Sequence, residues 1–438
     1  MSGGTAPHVL IVGGGYVGLY TALRLERRLA AHEARLTMVN PENFMLYQSL
    51  LPEVASGTLG PAHAVVPLRR TLKRTRLLGG RVTGLDHRRR VATVQPYEGD
   101  PGEVVYDHVV LGLGAVTKVL PVPGLVERAV GFTTVTEAIF LRNQVLSRME
   151  AAEALTDEAA RRRALTFVFV GGGYSGVEAL AELEDLARDA CRYFPSIAPR
   201  DLRWVLVEVT DRILPIVDRD LAEYATALLR ERGVEVHLET SLESAEGGIV
   251  VLSDGERFEA DTLCWAAGVS PDPLAAGLGL PADDMGRLLV DECLRVRDTP
   301  GAWAAGDCAA VPDLVAGGTC PPSAQYAVRE AQRLGDNLAA VLRGREPTPF
   351  RHTSRGEMIT LGRHRGVARL LRLHLRGFPP WYLRRLYHVA RIPSPLRKLE
   401  VWFDWTSALL KPRDVVHLGS EEHPREPFHE AAERTAAG

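Results

Sequence analysis

VGGGYSGVE, residues 170–178, repeats almost letter for letter something the chain has written once before, VGGGYVGLY at residues 12–20. Each copy follows an apolar run, HVLIV at 8–12 and LTFVFV at 165–170, and each leads into a stretch of helical periodicity. A continuous apolar run that ends in a turn reads as a strand buried on both faces of a parallel sheet. Gly13, Gly15 and Gly18 fit the spacing G-x-G-x-x-G, and so do Gly171, Gly173 and Gly176. The first glycine permits the tight turn, the second lets a pyrophosphate approach the backbone, and the third lets helix and strand pack closely. The free N–H groups of the helix N-terminus then face the phosphates. The glycines alone are a weak signal; the strand before and the helix after make it specific.

The next strand distinguishes the two copies. LRWVLVEV carries Glu208 near its end, where a carboxylate accepts hydrogen bonds from a ribose diol and repels a 2′-phosphate. That half reads as a site for NADH rather than NADPH. RLTMVN ends instead at Asn40, which can accept from a ribose hydroxyl without the charge. Two such units most simply hold two different dinucleotides face to face, a resident FAD and a visiting NADH. The expected fold is α/β, with two Rossmann-like dinucleotide-binding domains and a C-terminal membrane-associating or interface region.

Bulk properties narrow the class further. A net charge of −3 over 438 residues argues against nucleic acid. Cys191, Cys264, Cys293, Cys308 and Cys320 are odd in number and nowhere spaced as CxxC or a metal clip, so they read as reduced structural thiols in a cytoplasmic protein, with a catalytic cysteine as the alternative. The N-terminus has no secretion signal, and no apolar run reaches 18 residues, the length of a membrane span.

YDHVVLGLGAVTK (106–118), DTLCWAAGVSPDPL (261–274) and PGAWAAGDCAAVPD (300–313), taken in order with the two turns, resemble the two-dinucleotide flavoprotein reductases. That resemblance implies that Gly306 and Asp307 hold the ribityl–phosphate portion of FAD, and that Val82, Gly114 and Gly268 also contact the cofactors. Within that superfamily, NPENFMLYQSLLPEVASGTL (40–59), PPSAQYAVREAQRLGDNL (321–338) and the C-terminal region resemble the type II NADH dehydrogenases, NADH:quinone oxidoreductases. The implied reaction takes a hydride from NADH to FAD and then two electrons to a quinone, menaquinone or ubiquinone, without pumping protons. By the same analogy Glu178 lies near the nicotinamide and quinone and assists orientation or proton delivery. Gln325 contacts the flavin and the quinone carbonyl. Tyr174, inside the second glycine turn, is placed either to gate the nicotinamide or simply to pack there. A plainer account puts Glu178 in the first turn of its helix, where the dipole favours a carboxylate. One departure bears on the acceptor: Arg329 and Glu330 stand where the family usually has a second Gln. Two other functions fit the same motifs, a soluble reductase of a ferredoxin-like partner and a flavoprotein that binds NADH with slow turnover.

The FAD domain is expected over 1–118 and 278–345, with the nicotinamide domain inserted at 119–277 through the proline-rich linkers 120–124 and 269–274. Residues 151–164 read as an exposed polar connection. A basic amphipathic region spans 346–420, and 421–438 reads as a disordered tail. Between Arg351 and Lys398 stand twelve Lys or Arg and a single acid, Glu357. LLRLHLRGF (370–378) alternates as a strand does, and helices are expected over 379–392 and 394–412. Ser394 is placed to cap the second, with Pro395 at its first position. Leu396, Leu399, Trp402, Phe403, Leu409 and Leu410 fall on one side of it. Aromatic rings beside arginines suit an anionic bilayer surface, which would place the protein peripherally on the inner face of the cell membrane. The same helices could instead pack on their own core or pair two copies as a homodimer.

Overall fold

The computed structural model describes residues 6–354, 356–411 and 413–417. Its first sheet sets Ala302–Ala304, His108–Leu111, His8–Val12, Arg35–Asn40 and Arg76–Asp86 side by side in parallel. Val91–Pro96 and Gly102–Val105 extend it antiparallel at one edge. Val9 pairs with Leu36 on one side and His108 on the other, and Val9 through Val12 are buried, so each of those four positions is apolar. The second sheet orders Ala129–Val130, Thr262–Trp265, Thr166–Val170, Arg203–Val207 and Val234–His237, all parallel. The chain leaves the first sheet after Leu111, builds the second, and returns at Ala302. In each sheet the strand order reverses at the strand that ends in a glycine turn. The crevice there is where open parallel sheets bind ligands.

Eight helices bear on the site: α1 (Tyr16–Arg28), α2 (Leu51–Ala55), α3 (Val135–Ala154), α4 (Glu158–Ala164), α5 (Tyr174–Ala190), α6 (Ala324–Leu342), α7 (Phe378–Arg391) and α8 (Pro395–Leu410). α6 lies along α1, with Arg24 paired to Asp336 at 2.7 Å and the Thr21 hydroxyl donating to the Ala331 carbonyl.

Three local expectations change. Residues 151–164 are largely helical: α3 runs to Ala154, and the Asp157 carboxylate caps α4 by accepting from the Ala159 and Ala160 amides. Acid at the start of α4 and arginines at its end suit its dipole, which the overall polarity had masked. Residues 370–378 are not one strand. Gly366–Leu370 and Leu373–Arg376 form a hairpin that turns through Leu371 at φ 56°, a left-handed position with no glycine or asparagine to announce it. Ser394 does precede α8, with Pro395 inside its first turn, but the serine side chain makes no capping hydrogen bond.

The hairpin, α7 and α8 fold back onto the rest of the chain. Asp404 of α8 meets His63 at 2.5 Å and accepts the Gly60 amide. Val401 and Trp405 are buried, while Leu399 (65%), Trp402 (55%) and Phe403 (66%) face outward. Much of the basic run is internally paired, Arg369 with Glu357, Arg376 with Asp220 and Arg397 with Glu400. Among the described residues no helix is long and apolar enough to cross a membrane. The Leu410 side chain, Pro412 and the tail 421–438 lie outside the described residues.

Candidate functional site

Both glycine turns have the geometry their spacing asks for. Gly13 and Gly171 sit at φ 94° and 113°, which L side chains rarely adopt. A Cβ on Gly18 would run into the Gly13 carbonyl, and one on Gly176 into the Gly171 carbonyl. Gly15 and Gly173, at the N-caps of α1 and α5, face open space where a phosphate can come close. Asn40 and Glu208 do something the motif does not announce. Asn40 Oδ1 accepts the Gly14 amide at 2.6 Å, and its Nδ2 donates to the Glu42 carbonyl. Glu208 Oε2 accepts the Gly172 amide at 2.6 Å, and its Oε1 accepts the Thr210 amide and hydroxyl. Each therefore holds its glycine turn in shape and still has lone pairs for a ribose.

A cavity of about 1790 Å³ lies between the halves. Gly13, Gly15, Asn40, Gly114, Gly306 and Asp307 line it from one side, Tyr174 and Glu178 from the other, and Gln325 from α6. Gly18, Gly171, Gly173, Gly176, Glu208 and Gly268 are not on its wall, although Val269, next to Gly268, is. Val82 is buried within the first sheet, opposite Val94.

The first half fits FAD on more than its glycines. Asp307 Oδ1 is buried without a hydrogen-bond partner, and burial holds that carboxyl above the usual range. An unsatisfied acceptor on the cavity wall, beside a glycine turn, is what a ribityl hydroxyl would satisfy. Glu330 is buried and not on the cavity wall, and its Oε2 accepts the Gly306 amide at 2.7 Å, so it shapes the turn that presents Asp307. Burial pushes the Glu330 carboxyl up to about 7, and Asp307 adds to the push. Its folded value lies above the ordinary 4.5, so the fold favours the protonated form. That contribution to stability is complete at low pH and falls by roughly 1.4 kcal/mol per pH unit up to about pH 7. Glu330→Gln should match wild type within ~1 kcal/mol at pH 5 and exceed it by ~2 kcal/mol at pH 8. Thermal melts across that range check this; a gap that does not change with pH would contradict it.

Glu178 is the fifth residue of α5, beyond the first turn, and the helix dipole is not what holds it. Its Oε1 accepts the Thr360 amide (2.8 Å) and hydroxyl (3.0 Å), and the Arg384 guanidinium reaches both of its oxygens at 3.0 Å. Arg384 also donates to Glu53 Oε1 at 2.7 Å and to the Ser49 carbonyl at 2.8 Å. All three charged side chains are buried. One guanidinium thus serves two carboxylates and ties α2, α5 and α7 together. Burial pushes the Glu178 carboxyl up, Arg384 and the Thr360 amide offset part of that, and Glu53 adds to it. Sequence reasoning missed Arg384 and Glu53: the arginine stood in a run read as facing lipid.

Gln325 Nε2 lies 3.3 Å from Ser354 Oγ and from His352 Nε2, and the Gln325 carbonyl accepts from Arg329, which also lines the cavity. The Tyr174 hydroxyl is buried without a partner. All five cysteines are free, and burial pushes the Cys308 thiol up to about 11, which keeps it inert.

Two dinucleotide folds around one cavity, with an acidic ribose position in the second and a Gly-Asp turn in the first, define an oxidoreductase that brings FAD and NADH together. The chain belongs to the pyridine nucleotide-disulphide oxidoreductase family, whose model matches residues 7–331. It is 28% identical over 417 residues to a probable NADH dehydrogenase of Dictyostelium discoideum, covering 93% of this chain and 90% of that one. A type II NADH:quinone oxidoreductase of Mycobacterium tuberculosis is 29% identical over 414 residues, 91% of this chain and 86% of its own. The solved NDH2 of Plasmodium falciparum in complex with NADH shares the fold, at a TM-score of 0.87 and 17% identity over 94% of this chain and 99% of that one.

Proposed function

We propose that the protein is an FAD-dependent NADH:quinone oxidoreductase of the type II class, taking two electrons from NADH and passing them to a quinone without pumping protons. The observation that carries this is one cavity lined from both halves. It runs from the first nucleotide turn, past Tyr174 and Glu178 at the start of α5, to Gln325 and α7, and the five cysteines are all free. Bound FAD would supply the two-electron relay between nicotinamide and acceptor. The chain's own residues seat and orient. The amides at the start of α1 and α5 take the pyrophosphates. Asp307 takes the ribityl hydroxyls. Tyr174 covers the nicotinamide edge, Glu178 fixes the wall between the two substrates, and Gln325 offers its amide to the acceptor carbonyl. Residues 1–118 with 278–345 form the FAD domain in this account, with 119–277 inserted for NADH. Steady-state NADH oxidation with menadione, ubiquinone-1 and ferredoxin tests the function. Quinones should support turnover; faster turnover with ferredoxin would favour the soluble-reductase alternative.

NADH should be preferred over NADPH. Glu208→Gln keeps an oxygen for the Gly172 amide and removes the charge, so the preference should narrow by about tenfold, about 1.4 kcal/mol. Equal use of both nucleotides by wild type would contradict the ribose assignment.

Peripheral association with an anionic membrane surface is part of the proposal, supported by the exposed Leu399, Trp402 and Phe403 of α8 beside exposed Phe378, Tyr382 and Leu386 of α7. Deleting α7 would strip Arg384 from two buried carboxylates, so truncation is a poor test. Leu399→Ser with Phe403→Ser should instead abolish sedimentation with phosphatidylglycerol vesicles while FAD content survives. Vesicle binding untouched by the double change would point to homodimer pairing through that face.

A further inference from the structure

We propose that His388 gives the acceptor quinone a proton at its carbonyl oxygen, and that Tyr47 fixes the tautomer that lets it do so; this rests on the quinone reading above. His388 sits on α7 one turn beyond Arg384 and lines the cavity with Tyr47 and Tyr387. The Tyr47 hydroxyl lies 3.3 Å from His388 Nδ1. The Tyr47 ring meets the imidazole edge-on at 5.7 Å, Tyr387 meets it at 5.4 Å, and Tyr16 meets Tyr47 at 5.8 Å. The imidazole is therefore held in one plane against the cavity.

Its surroundings decide where its proton sits. Burial holds the imidazole well below its ordinary value, and Arg384 lowers it further, so the ring is neutral at pH 7. Burial pushes the Tyr47 phenol far up, with Tyr16, Tyr20 and Tyr387 adding to that and Arg384 opposing it, so Tyr47 stays a protonated donor. Tyr47 must then donate to Nδ1, which places the ring proton on Nε2. Nε2 has no hydrogen-bond partner among the described residues. Glu178, the other acid on this wall, has both oxygens engaged by Arg384.

The reaction needs such a donor. NADH brings two electrons and one proton as hydride, whereas a quinone takes two electrons and two protons to become a quinol; the balance is NADH + H⁺ + quinone → NAD⁺ + quinol. The extra proton comes from solvent and has to reach a carbonyl oxygen inside the cavity. His388 breaks its Nε2–H bond as the quinol O–H forms, and Nδ1 takes the Tyr47 hydroxyl proton. The phenol oxygen regains a proton from water, so the pair ends neutral and one solvent proton has moved. The ring, now protonated on Nδ1, returns to the Nε2–H tautomer by proton exchange with water once the quinol has left the cavity. A neutral imidazole suits this, because it polarises a carbonyl without the cost of burying a charge.

Comparing ubiquinone-1 with ferricyanide, which takes electrons and no proton, tests this on His388→Gln and Tyr47→Phe holoprotein. The ratio of quinone to ferricyanide turnover should fall about 10- to 100-fold in His388→Gln and about three- to tenfold in Tyr47→Phe. Calorimetric titration of the oxidised protein with ubiquinone-1, with no NADH present, should weaken about threefold to tenfold in His388→Gln for one lost hydrogen bond. A merely structural role would lower both turnovers together and leave their ratio unchanged, which would overturn the proposal and spare the quinone reading. Wild type that reduces ferricyanide but no quinone would overturn both. Should His388→Gln not fold, Tyr47→Phe removes one hydroxyl and little volume, and its ratio decides alone.

Discussion

Arg384→Met is expected to lower unfolding stability by ~3–5 kcal/mol, because it leaves two carboxylates buried without their cation. Arg384 is 2% exposed, Glu53 0% and Glu178 7%, so water cannot replace the lost charge. Against a typical net stability of about 5–15 kcal/mol the loss is large. Quinone turnover should fall below about 1% of wild type, since Glu178 and the α7 wall lose their common anchor. Arg384→Lys should recover only part of this, as a point charge cannot bond Glu53, Ser49 and both Glu178 oxygens at once. A paired change supplies the control. Arg384→Met with Glu178→Gln should be more stable than Arg384→Met alone, because one of the stranded charges is gone. Urea unfolding of the four proteins reads this directly. An Arg384→Met protein that melts with wild type and turns over normally would remove the buried triad from the account.

The second large effect separates the two half-reactions. Glu178→Gln and Gln325→Ala should fold, keep FAD and still be reduced by NADH in stopped flow. Their steady-state turnover with quinone should drop about 10- to 1,000-fold, the range for a lost positioning or proton-transfer group. In Glu178→Gln the amide oxygen can still accept from Thr360, but it no longer balances Arg384, so the acceptor wall shifts while the nucleotide turns stay in place. Gln325→Ala removes the amide that Ser354 and His352 orient. A Glu178→Gln protein slowed only in reduction by NADH would move the residue to the nicotinamide side. One unchanged in both phases would leave it a structural residue of α5.

The strands and turns were legible because parallel sheets buried on both faces demand unbroken apolar runs, and because phosphate approach demands glycine at fixed offsets. His8–Val12 and Thr166–Val170 are the clearest cases. The C-terminal region was legible as helices but not in its orientation. α7 turns Arg384 and Arg385 inward beside Trp381, and Phe378, Tyr382 and Leu386 outward; for all of these but Trp381 that is the reverse of what polarity suggests. The reason is long-range. The carboxylates that draw Arg384 inside lie 331 and 206 residues earlier in the chain, and no local pattern records them. Arg385 follows it in by lying over the Trp381 and Trp405 rings, 3.9 and 5.0 Å from their centres. Asn40 and Glu208 were found, but not their bonds to Gly14 and Gly172, because a motif names positions and not the backbone amides they close on.

The most direct test of the central claim is sequential-mixing stopped flow on the yellow holoprotein under anaerobic conditions. NADH in the first mix should bleach the flavin colour, and ubiquinone-1 or menadione in the second should restore it at least as fast as steady-state turnover requires. Bleaching by NADH that neither quinone reverses, with recovery on adding ferredoxin instead, would contradict it.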